Sequence, residues 1–340
     1  MAVAQGSAKE EPPGEEVVKK APDPTDAVQD IVQQQQGTQR SRLGAEFSFG
    51  YSHFGDAQIN LDGFLALDAI FLGTISIDEV DADIFTADAT LRYGLSDELF
   101  IDASLPFLYR MSNFSSGGAG GAANQPIETT VRDGGLGDVS AGLSYQLLGE
   151  TANRPNLVVS GRVKFPTGKE PYGVDFIEVE GSVGNLQIPE SLATGTGVYG
   201  ASIGLSALKT LDPMVVFGSV NYSYNFPRSF GDIDENPGDQ PGRVAIGNAF
   251  QFGAGLAFAL NEKSSISMSY SQRIVSHSKL RLEGQERFQR VVGSQANVAL
   301  VNLGATFALG QSLSLIATVG IGLTDDSPDM VVGIRIPYRF

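Results

Sequence analysis

The chain has 340 residues, of which 39 are Asp or Glu and 23 are Lys or Arg, so its formal net charge is −16. This acidity argues against nucleic acid as a partner, because a binding surface must first neutralise phosphates with lysine and arginine. The absence of cysteine excludes disulfides, thiolate catalysis and zinc sites of the cysteine type, and no apolar run approaches the ~20 residues of a transmembrane helix. With 41 glycines and 20 phenylalanines, the composition favours one large closed sheet.

Residues 1–42 differ in composition from the rest of the chain. The first half of this segment is charged, contains proline and has few bulky apolar residues, which predicts disorder. A short helix is predicted at about 23–36, with Asp23 as its N-cap and Pro24 at the first position. Its narrow apolar stripe cannot stabilise three turns alone, so the helix must dock, self-associate or fray. The residues of this stripe are candidates for a plug or gate: Val28, Ile31 and Val32.

From Leu43 onward, apolar and polar residues alternate with the period of two that indicates β-strands. Counting back from Phe340 gives about twelve strands, the first at 43–54 and the second at 81–94. Residues 55–80 predict either a further strand pair or an extracellular hairpin. The other ten strands are predicted near 99–110, 139–147, 157–165, 199–207, 214–226, 250–260, 266–270, 303–309, 313–323 and 330–340.

Two features of these strands favour a membrane barrel over a soluble sandwich. Tyrosines recur near strand ends on the apolar face, as expected of girdles at the two membrane interfaces. The connections also alternate strictly in length, which is typical of outer-membrane barrels. Tight turns at 94–97, 211–213, 261–263 and 310–311 alternate with long polar loops near 111–136, 166–195, 227–245 and 277–293.

The prediction for residues 43–340 is therefore an all-β, transmembrane, antiparallel up-and-down barrel of about 12 strands. Lipid offers backbone N–H and C=O groups no partner, so strands can span a membrane only in a closed barrel. An even strand number places both ends of the barrel on the short-turn, periplasmic side. Residues 1–42 then form a short helical or disordered periplasmic extension.

Charged residues on the polar face of these strands are predicted to line the lumen. One interpretation is a polar passage whose field selects solutes by charge; the other is a ladder of salt bridges that braces the barrel, and both can hold together. The candidate lumen residues are Arg92, Arg110, Arg162, Lys164, Arg273, Arg335, Arg339, Glu46, Asp88, Asp102 and Asp138.

The sequence GTGVYG at 195–200 matches the G-x-G-x-x-G pattern of dinucleotide-binding loops. That pattern requires a following helix, whereas these glycines lead into an alternating strand. We therefore interpret them as residues that ease strand curvature and keep the lumen open.

Enzymatic and metal-binding roles find little support in the sequence. His53 and His277 are the only histidines, and neither lies near a nucleophile motif such as G-x-S-x-G. We predict no enzyme activity, no cofactor and no metal. Acidic clusters could hold calcium, but none has EF-hand spacing, and these residues also suit ordinary turns: Asp232, Asp234, Glu235 and Asp239, and Asp325, Asp326 and Asp329.

Several segments resemble the outer-membrane transporter family named for the meta-pathway of phenol degradation, which includes the secretion channel of Fap-type functional amyloid systems. The resemblance covers most of 90–340 and is weak over 1–80. It is carried by YGLSDELFIDASLPFLYR, GGLGDVSAGLSYQLL, RVKFPTGKEP, GTGVYGASIGLSALKTLDPMVVFGSVNYSYNF and VGIGLTDDSPDMVVGIRIPYRF.

This resemblance implies an outer-membrane channel. Family members are associated with uptake of hydrophobic or aromatic compounds, and the amyloid branch with export of unfolded polypeptide through a trimer of twelve-stranded barrels gated by an N-terminal helix. Tyr338 and Phe340, at the end of the last strand, resemble the signal that the barrel-assembly machinery recognises.

The sequence thus predicts a bacterial outer-membrane channel that moves small solutes or secreted polypeptide and is gated by its periplasmic N-terminal segment. Expected partners are outer-membrane lipid and lipopolysaccharide, the assembly machinery, the cargo and a second and third copy in a homotrimer. The alternative function is a closed structural or adhesion barrel whose extracellular loops bind a partner.

Overall fold

The computed structural model describes residues 42–57, 61–62, 74–75, 79–116, 127–178, 187–233 and 238–340. Twelve antiparallel strands form a closed barrel, in which each strand pairs with the next along the chain and the last pairs with the first. The predicted fold class is confirmed. The strands are β1 Leu43–Ala57, β2 Glu79–Gly94, β3 Leu99–Ser116, β4 in two segments Ile127–Leu136 and Ser140–Leu148, β5 Asn156–Lys164, β6 Gly200–Leu211, β7 Met214–Asn225, β8 Ala249–Asn261, β9 Ser264–Val275, β10 Ala296–Ala308, β11 Ser314–Gly322 and β12 Met330–Arg339.

The barrel closes between β1 and β12, where the pairing runs from Gly44 opposite Arg339 to His53 opposite Met330. The predicted helix at 23–36 lies outside the described residues. In the region 55–80, the described backbone forms a two-stranded pair of Leu61–Asp62 with Thr74–Ile75, separate from the barrel.

The prediction of a loop over 111–136 is wrong at both ends. Strand β3 continues to Ser116 and β4 begins at Ile127, so the two strands pair well beyond the apolar part of the barrel. The physical reason is that this extension lies beyond the lipid-facing belt, so its outer face no longer has to be apolar, whereas its inner face is buried at Ser112, Phe114 and Val131. Its backbone hydrogen bonds persist, but the apolar alternation that marks a strand in sequence is lost.

The outer face of the barrel carries an apolar belt bounded by aromatic residues. Phe47, Phe49, Ile203, Met268 and Leu303 are each at least half exposed, as expected of side chains that contact lipid. Neighbouring aromatic rings lie 5.0–6.4 Å apart at the long-loop rim, and Tyr338 and Phe340 lie 4.9 Å apart at the short-turn rim. The long-loop ring comprises Tyr51, Phe85, Tyr109, Phe165, Tyr199, Tyr224, Phe226, Phe250, Phe252 and Tyr270.

Four short strands beyond the long-loop rim form a second sheet, which we call the cap sheet. They are Arg228–Phe230, Gly242–Ala245, Lys279–Leu282 and Gln289–Arg290. One face packs into a buried apolar core, the cap core, with residues from the loop that joins β5 to β6. The cap core contains Tyr172, Val198, Phe230, Ile233, Val244 and Ile246, with Leu280, Leu282 and Val291 packed against it.

No helix in the described part of the chain has both the length and the apolar character needed to cross a bilayer.

Candidate functional site

Strand register identifies the inner wall of the barrel. Successive residues of a strand point to opposite faces, and directly paired residues share a face. Because Phe47 and Phe49 are exposed on the outer face, Glu46 and Ser48 face the lumen. The same reasoning places charged residues on the inner faces of β12 and β1–β5, which we call the charged wall: Glu46, Asp88, Arg92, Asp102, Arg110, Asp133, Asp138, Arg162, Lys164, Arg335 and Arg339.

The remaining strands, β6–β11, form a neutral wall. Arg273 is the one charged residue among the described inward-facing residues of these six strands. Most of the other side chains are small or carry neutral polar groups, and they alternate with the lipid-facing residues; Leu208, Val215, Phe217, Leu300 and Ile316 are apolar exceptions. The polar side chains include Ser202, Ser219, Asn221, Ser223, Gln251, Ser267, Ser269, Ser271, Asn302 and Thr318.

The first ion pair of the charged wall joins β12 to β1. Arg335 Nε donates to Glu46 Oε1 at 2.8 Å and its Nη2 donates to Glu46 Oε2 at 2.6 Å. The two side chains are only 18% and 21% exposed. A two-pronged contact of this kind fixes both side chains in one orientation, so the pair braces the seam at which the barrel closes.

A second group of charges continues this network to β5. Arg162 donates through Nη2 to Asp102 and through Nη1 to Ser140 Oγ at 2.8 Å. Arg92 lies opposite Asp102 in the β2–β3 register, and it also has a favourable electrostatic interaction with the Glu46 carboxylate. Opposite charges therefore follow one another around half of the barrel, as a bracing ladder requires.

A buried part of the β5–β6 connection, residues 187–198, folds into the lumen mouth against β3 and β4. We call this segment the strap. Leu192, Ala193 and Val198 are fully buried, and Thr194 and Thr196 are at most 4% exposed. The strap runs along the edge of the first β4 segment, which has no partner strand on that side among the described residues.

Asp138 holds the strap in place. It lies where β4 is interrupted, and its Oδ2 accepts from Thr196 N at 2.9 Å and from Thr196 Oγ1 at 2.8 Å. Its Oδ1 accepts from Gly168 N at 3.1 Å, and Lys164 Nζ lies 3.4 Å from Oδ2. One carboxylate thus joins the wall, the start of the loop and the strap.

Asp133 and Arg110 make further contacts to the strap. Asp133 Oδ2 accepts from Leu192 N at 3.1 Å and from Lys169 Nζ at 2.6 Å. Arg110 Nη1 donates to the carbonyl of Ala193 at 2.9 Å. Arg110 is 1% exposed, and its Nε and Nη2 have no hydrogen-bond partner among the described residues. This arginine therefore lies under the strap rather than in an open passage.

The structure corrects our interpretation of GTGVYG. Gly195 and Gly197 precede β6, and Gly195 packs so closely on Asp138 that a Cβ atom would collide with the carboxylate. The same Cβ would lie 2.8 Å from Cα of Gly168. Gly197 adopts φ +71°, a left-handed conformation that glycine accepts without strain. Gly195 lets the strap backbone approach the wall, and Gly197 lets it approach Glu170 and the Phe230 ring; the interpretation that they keep the lumen open is wrong.

Between the strap and the middle of the barrel lies a cavity of about 320 Å³. It brings together five of the predicted lumen residues, three cations and two carboxylates: Arg162, Lys164, Arg273, Asp88 and Asp138. Ser104, Ser202, Ser223 and Asn225 complete its polar lining. A cavity lined by cations, carboxylates and several hydroxyl groups suits a solute that is polar or that carries both a positive and a negative charge.

The inner wall changes character near the short-turn rim. Leu208, Val215, Phe217 and Ala257 face inward and form an apolar cluster whose members are at most 8% exposed. Phe217 lies over Gly255, where a Cβ atom would be 2.5 Å from the Phe217 ring. This apolar layer of the wall lies on three neighbouring strands, β6–β8, close to the short-turn rim.

The remaining predicted residues lie apart from the cavity or outside the described chain. Arg339 is opposite Gly44 at the short-turn rim, and Arg92, Arg335 and Glu46 form the lower part of the charged wall. Tyr338 and Phe340 are exposed on the outer face, at 41% and 66%. Val28, Ile31 and Val32 lie outside the described residues.

The histidines and acidic clusters have turn or rim positions. His53 Nδ1 and Tyr51 Oη both lie 2.8 Å from Asp83 Oδ1, on the outer face near the long-loop rim. Asp326 Oδ2 accepts from Asn297 N at 2.7 Å, and Asp329 Oδ2 accepts from Gly55 N at 2.9 Å. Asp234 and Glu235 lie outside the described residues.

The strap could not be predicted from the sequence, because its residues show no strand alternation and are flanked by polar loop residues. The GTG motif was the available signal, since closely spaced glycines also mark a close backbone approach. Tyr172 was equally unforeseen. Its phenol is buried in the cap core, where no described residue is a hydrogen-bond partner, and burial, together with the nearby Glu170 carboxylate, raises the pKa of this group.

The fold and its polar lumen define the class of the protein as a membrane-spanning β-barrel of the outer-membrane type. No protein-family model matches the chain. Its structure is similar to an outer membrane channel from Pseudomonas putida F1, with a TM-score of 0.55 and 15% sequence identity over 87% of this chain and 96% of that chain. At this identity the likeness establishes the fold.

Two further barrels align with lower scores. The translocator domain of the autotransporter NalP from Neisseria meningitidis has a TM-score of 0.46 and 10% identity, over 92% of this chain and 93% of that chain. A FadL homologue from Pseudomonas aeruginosa has a TM-score of 0.43 and 10% identity, over 88% of this chain and 90% of that chain. Neither adds to the conclusion about the fold.

Proposed function

We propose that this protein is a bacterial outer-membrane channel for small polar solutes. The long loops face the outside of the cell, and the short turns and residues 1–42 face the periplasm. The observation that carries the proposal is a mid-barrel cavity with both charges, enclosed by a wall whose outer face is apolar. Membrane burial alone accounts for the outer belt but not for a hydrated, charged interior.

The cavity favours a small solute over a secreted polypeptide. Its volume of about 320 Å³ is at the lower end of the range for small-molecule sites. A polypeptide would require both the strap and the apolar layer at Phe217 to move. Paired cations and carboxylates also favour a polar solute over a purely hydrophobic one, because desolvating these charges against an apolar cargo is costly.

Conductance in planar bilayers tests the proposal. We expect single-channel currents from the purified full chain, and liposome swelling with amino acids and small sugars but not with large oligosaccharides. A protein that is folded, as judged by its heat-dependent migration in gels, yet shows neither current nor swelling would refute the channel function.

The proposed gate is the predicted helix at 23–36. The triple variant Val28→Gln, Ile31→Gln and Val32→Gln should raise the open probability if the apolar stripe closes the periplasmic mouth. The control Gln29→Ala and Gln33→Ala changes the polar face of the same helix. Equal open probabilities in both variants and the natural protein would remove the gate from the proposal and leave the channel untouched.

Assembly contacts also belong to the proposal. Tyr338 and Phe340 would be read by the barrel-assembly machinery, and Phe340→Ala should lower the yield of heat-modifiable barrel in the outer membrane. Light scattering of the detergent-solubilised protein distinguishes a monomer from a homotrimer. Membership of the phenol meta-pathway transporter family remains part of the same proposal.

The alternative is a closed barrel whose loops bind a partner. The buried strap and the apolar layer near the short-turn rim favour it, since both narrow the lumen. The variant Asp138→Ala, which should release the strap, separates the two functions. A channel should conduct more when the strap is released, whereas a structural barrel should only lose stability.

A further inference from the structure

The cap sheet carries a concentrated basic surface on the face opposite the cap core. Register places Arg243 directly across from Arg281, and Lys279 directly across from Arg290. Because Arg243 and Ala245 share a face, and Ala245 pairs with Lys279, all four cations lie on one side of the sheet. We call this set Arg243, Lys279, Arg281 and Arg290 the basic face.

Like charges in direct cross-strand positions are destabilising unless an anion lies between them. No described carboxylate is within ion-pair distance of any member of the basic face. By contrast, Arg162, Lys164 and Arg335 in the lumen each have a carboxylate partner. Because the chain has a net charge of −16, a group of four cations without a described carboxylate partner on one small sheet stands out from the other charges of the protein.

The basic face lies on the side of the cap sheet opposite the cap core. Val244, Leu280 and Leu282 on the other side of the sheet pack into the cap core, which also contains the strap residue Val198. Backbone pairing across the four strands fixes the spacing of the cations at about 5 Å between neighbouring Cβ atoms. The Arg281 guanidinium also lies 5.2 Å from the centroid of the Phe288 ring, which restrains its orientation.

The height of this surface matches the polar layer outside the membrane. Ile274 is the last exposed apolar residue of β9 on the lipid side, and Lys279 follows five residues later. At ~3.3 Å per residue, the basic face begins within about 20 Å of the aromatic ring. Phosphorylated sugars of outer-leaflet glycolipid occupy this layer in an outer membrane.

We infer that the basic face binds the phosphate groups of lipopolysaccharide in the surrounding outer leaflet. Arginine offers forked N–H groups that match phosphate oxygens, and Lys279 adds a compact charge. Bound phosphate would separate the Arg243–Arg281 and Lys279–Arg290 pairs and so convert repulsion into attraction. The inference depends on the proposed orientation, with the long loops outside the cell, and not on conduction.

The first experiment measures binding of deep-rough lipopolysaccharide to the detergent-solubilised full chain. The variant Arg243→Gln and Arg281→Gln should bind roughly thirtyfold more weakly, since each cation near an anionic surface contributes about a fivefold factor. The control Arg154→Gln and Lys263→Gln removes two exposed cations from turns at the short-turn rim and should bind normally. Equal affinities of all three proteins would overturn the inference.

Two further measurements identify the ligand chemistry: direct binding of lipopolysaccharide without phosphates, and competition by inorganic phosphate. Lipopolysaccharide stripped of its phosphates should bind the natural protein as weakly as the intact lipid binds the Arg243→Gln and Arg281→Gln variant. Undiminished binding of the stripped lipid would refute phosphate recognition. Inorganic phosphate at millimolar concentration should leave the complex intact; if it displaces the lipid completely, the surface serves free phosphate and the assignment to lipopolysaccharide is wrong.

Thermal unfolding keeps the test independent of folding defects. Added lipopolysaccharide should raise the Tm of the natural protein but not that of Lys279→Gln and Arg290→Gln, because a ligand stabilises only the form that binds it. Orientation is tested separately with Lys279→Cys, since the natural chain has no cysteine. Failure of a membrane-impermeant maleimide to label whole cells would contradict the orientation itself, without bearing on phosphate affinity in detergent.

Discussion

The two halves of the inner wall line the lumen with different kinds of polar side chain. The charged wall, β12 and β1–β5, carries ion pairs such as Glu46–Arg335 and Asp102–Arg162. The neutral wall, β6–β11, is lined by small hydroxyl and amide side chains such as Ser269 and Asn221. Both keep the lumen polar, but only the charged wall binds the strap. The difference indicates that lumen charge both braces the barrel, as in Glu46–Arg335, and positions the strap, as at Asp138, while the neutral wall leaves space beside the strap.

Burial makes the ion pairs of the charged wall matter more for stability than exposed ion pairs would. An exposed ion pair contributes about 0–1 kcal/mol, and removing one partner of a buried pair costs about 3–5 kcal/mol. The Asp138 side chain is 7% exposed and Asp102 is 8% exposed, so each behaves as a buried partner. The neutral wall has no comparable group among its described residues and should tolerate substitution more easily.

The largest expected effect comes from Asp138→Ala, which removes the contact between the charged wall and the strap. Lys164 and two backbone N–H groups lose their acceptor, and we expect the free energy of unfolding to fall by about 3–5 kcal/mol. Single-channel conductance or open probability should rise as the strap is released. The control Asp97→Ala, in an exposed turn at the short-turn rim, should change stability by less than about 0.5 kcal/mol.

Thermal unfolding followed by circular dichroism measures the stability change, and planar bilayers measure the current. A variant that loses stability while conducting no better than the natural protein would favour the closed structural barrel. An unchanged Tm would contradict the role of Asp138 as the anchor of the strap.

The second prediction concerns the seam of the charged wall. A double-mutant cycle of Glu46→Gln and Arg335→Gln should give a coupling energy of about 1–3 kcal/mol, because the contact is two-pronged and mostly buried. Glu46→Gln should also shift ion selectivity towards anions, and Arg335→Gln towards cations. Reversal potentials in a KCl gradient check the direction; shifts of the same sign in both variants would contradict lumen placement.

The third prediction compares the two faces of one strand in the neutral wall. Ser269→Lys adds a charge to the lumen and should cost less than about 1 kcal/mol, while shifting selectivity towards anions. Met268→Lys puts the same charge on the lipid face and should cost about 2–4 kcal/mol near the bilayer midplane. Equal unfolding free energies for the two variants would show that the assigned faces are wrong.

The smallest expected effect lies in the cap core, which adjoins both walls. Tyr172→Phe removes a buried hydroxyl without a hydrogen-bond partner and should be neutral or stabilise the protein by up to about 1 kcal/mol. Because burial raises the Tyr172 pKa, the folded protein retains this proton when the unfolded chain loses it. Stability of the natural protein should therefore fall as pH rises above 10, and the variant should lose less in guanidinium titrations at pH 9 and 11.

Much of the barrel could be predicted because its physical constraints are local. Alternation identifies a strand between lipid and a polar lumen, and the register of MVVGIRIPYRF correctly placed Ile334 and Tyr338 on the opposite face from Arg335. The prediction failed where these constraints end. Beyond the aromatic ring, Ser112 to Ser116 and Ile127 to Val131 remain strands, but their outer face contacts no lipid, so the alternation that would reveal them is lost.

The candidate site could be predicted from the sequence only in part, for the same reason. Alternation alone selected Arg162 and Asp102 as inward residues, yet it could not show that Arg162 contacts Asp102, since the two are 60 positions apart in sequence. It also could not distinguish Arg110, buried under Ala193, from an arginine that lines an open passage. Pairing, burial and the position of the strap depend on long-range contacts.

Local patterning therefore specifies a closed barrel with an apolar exterior and a charged interior, because each strand residue must suit either lipid or water. Which charges meet, where the strap enters the lumen and which cations gather on the cap sheet depend on the assembled barrel. Asp138 illustrates the division: its sequence context indicates a polar residue beside a strand, and only closure brings Lys164, Gly168 and Thr196 to its two oxygens.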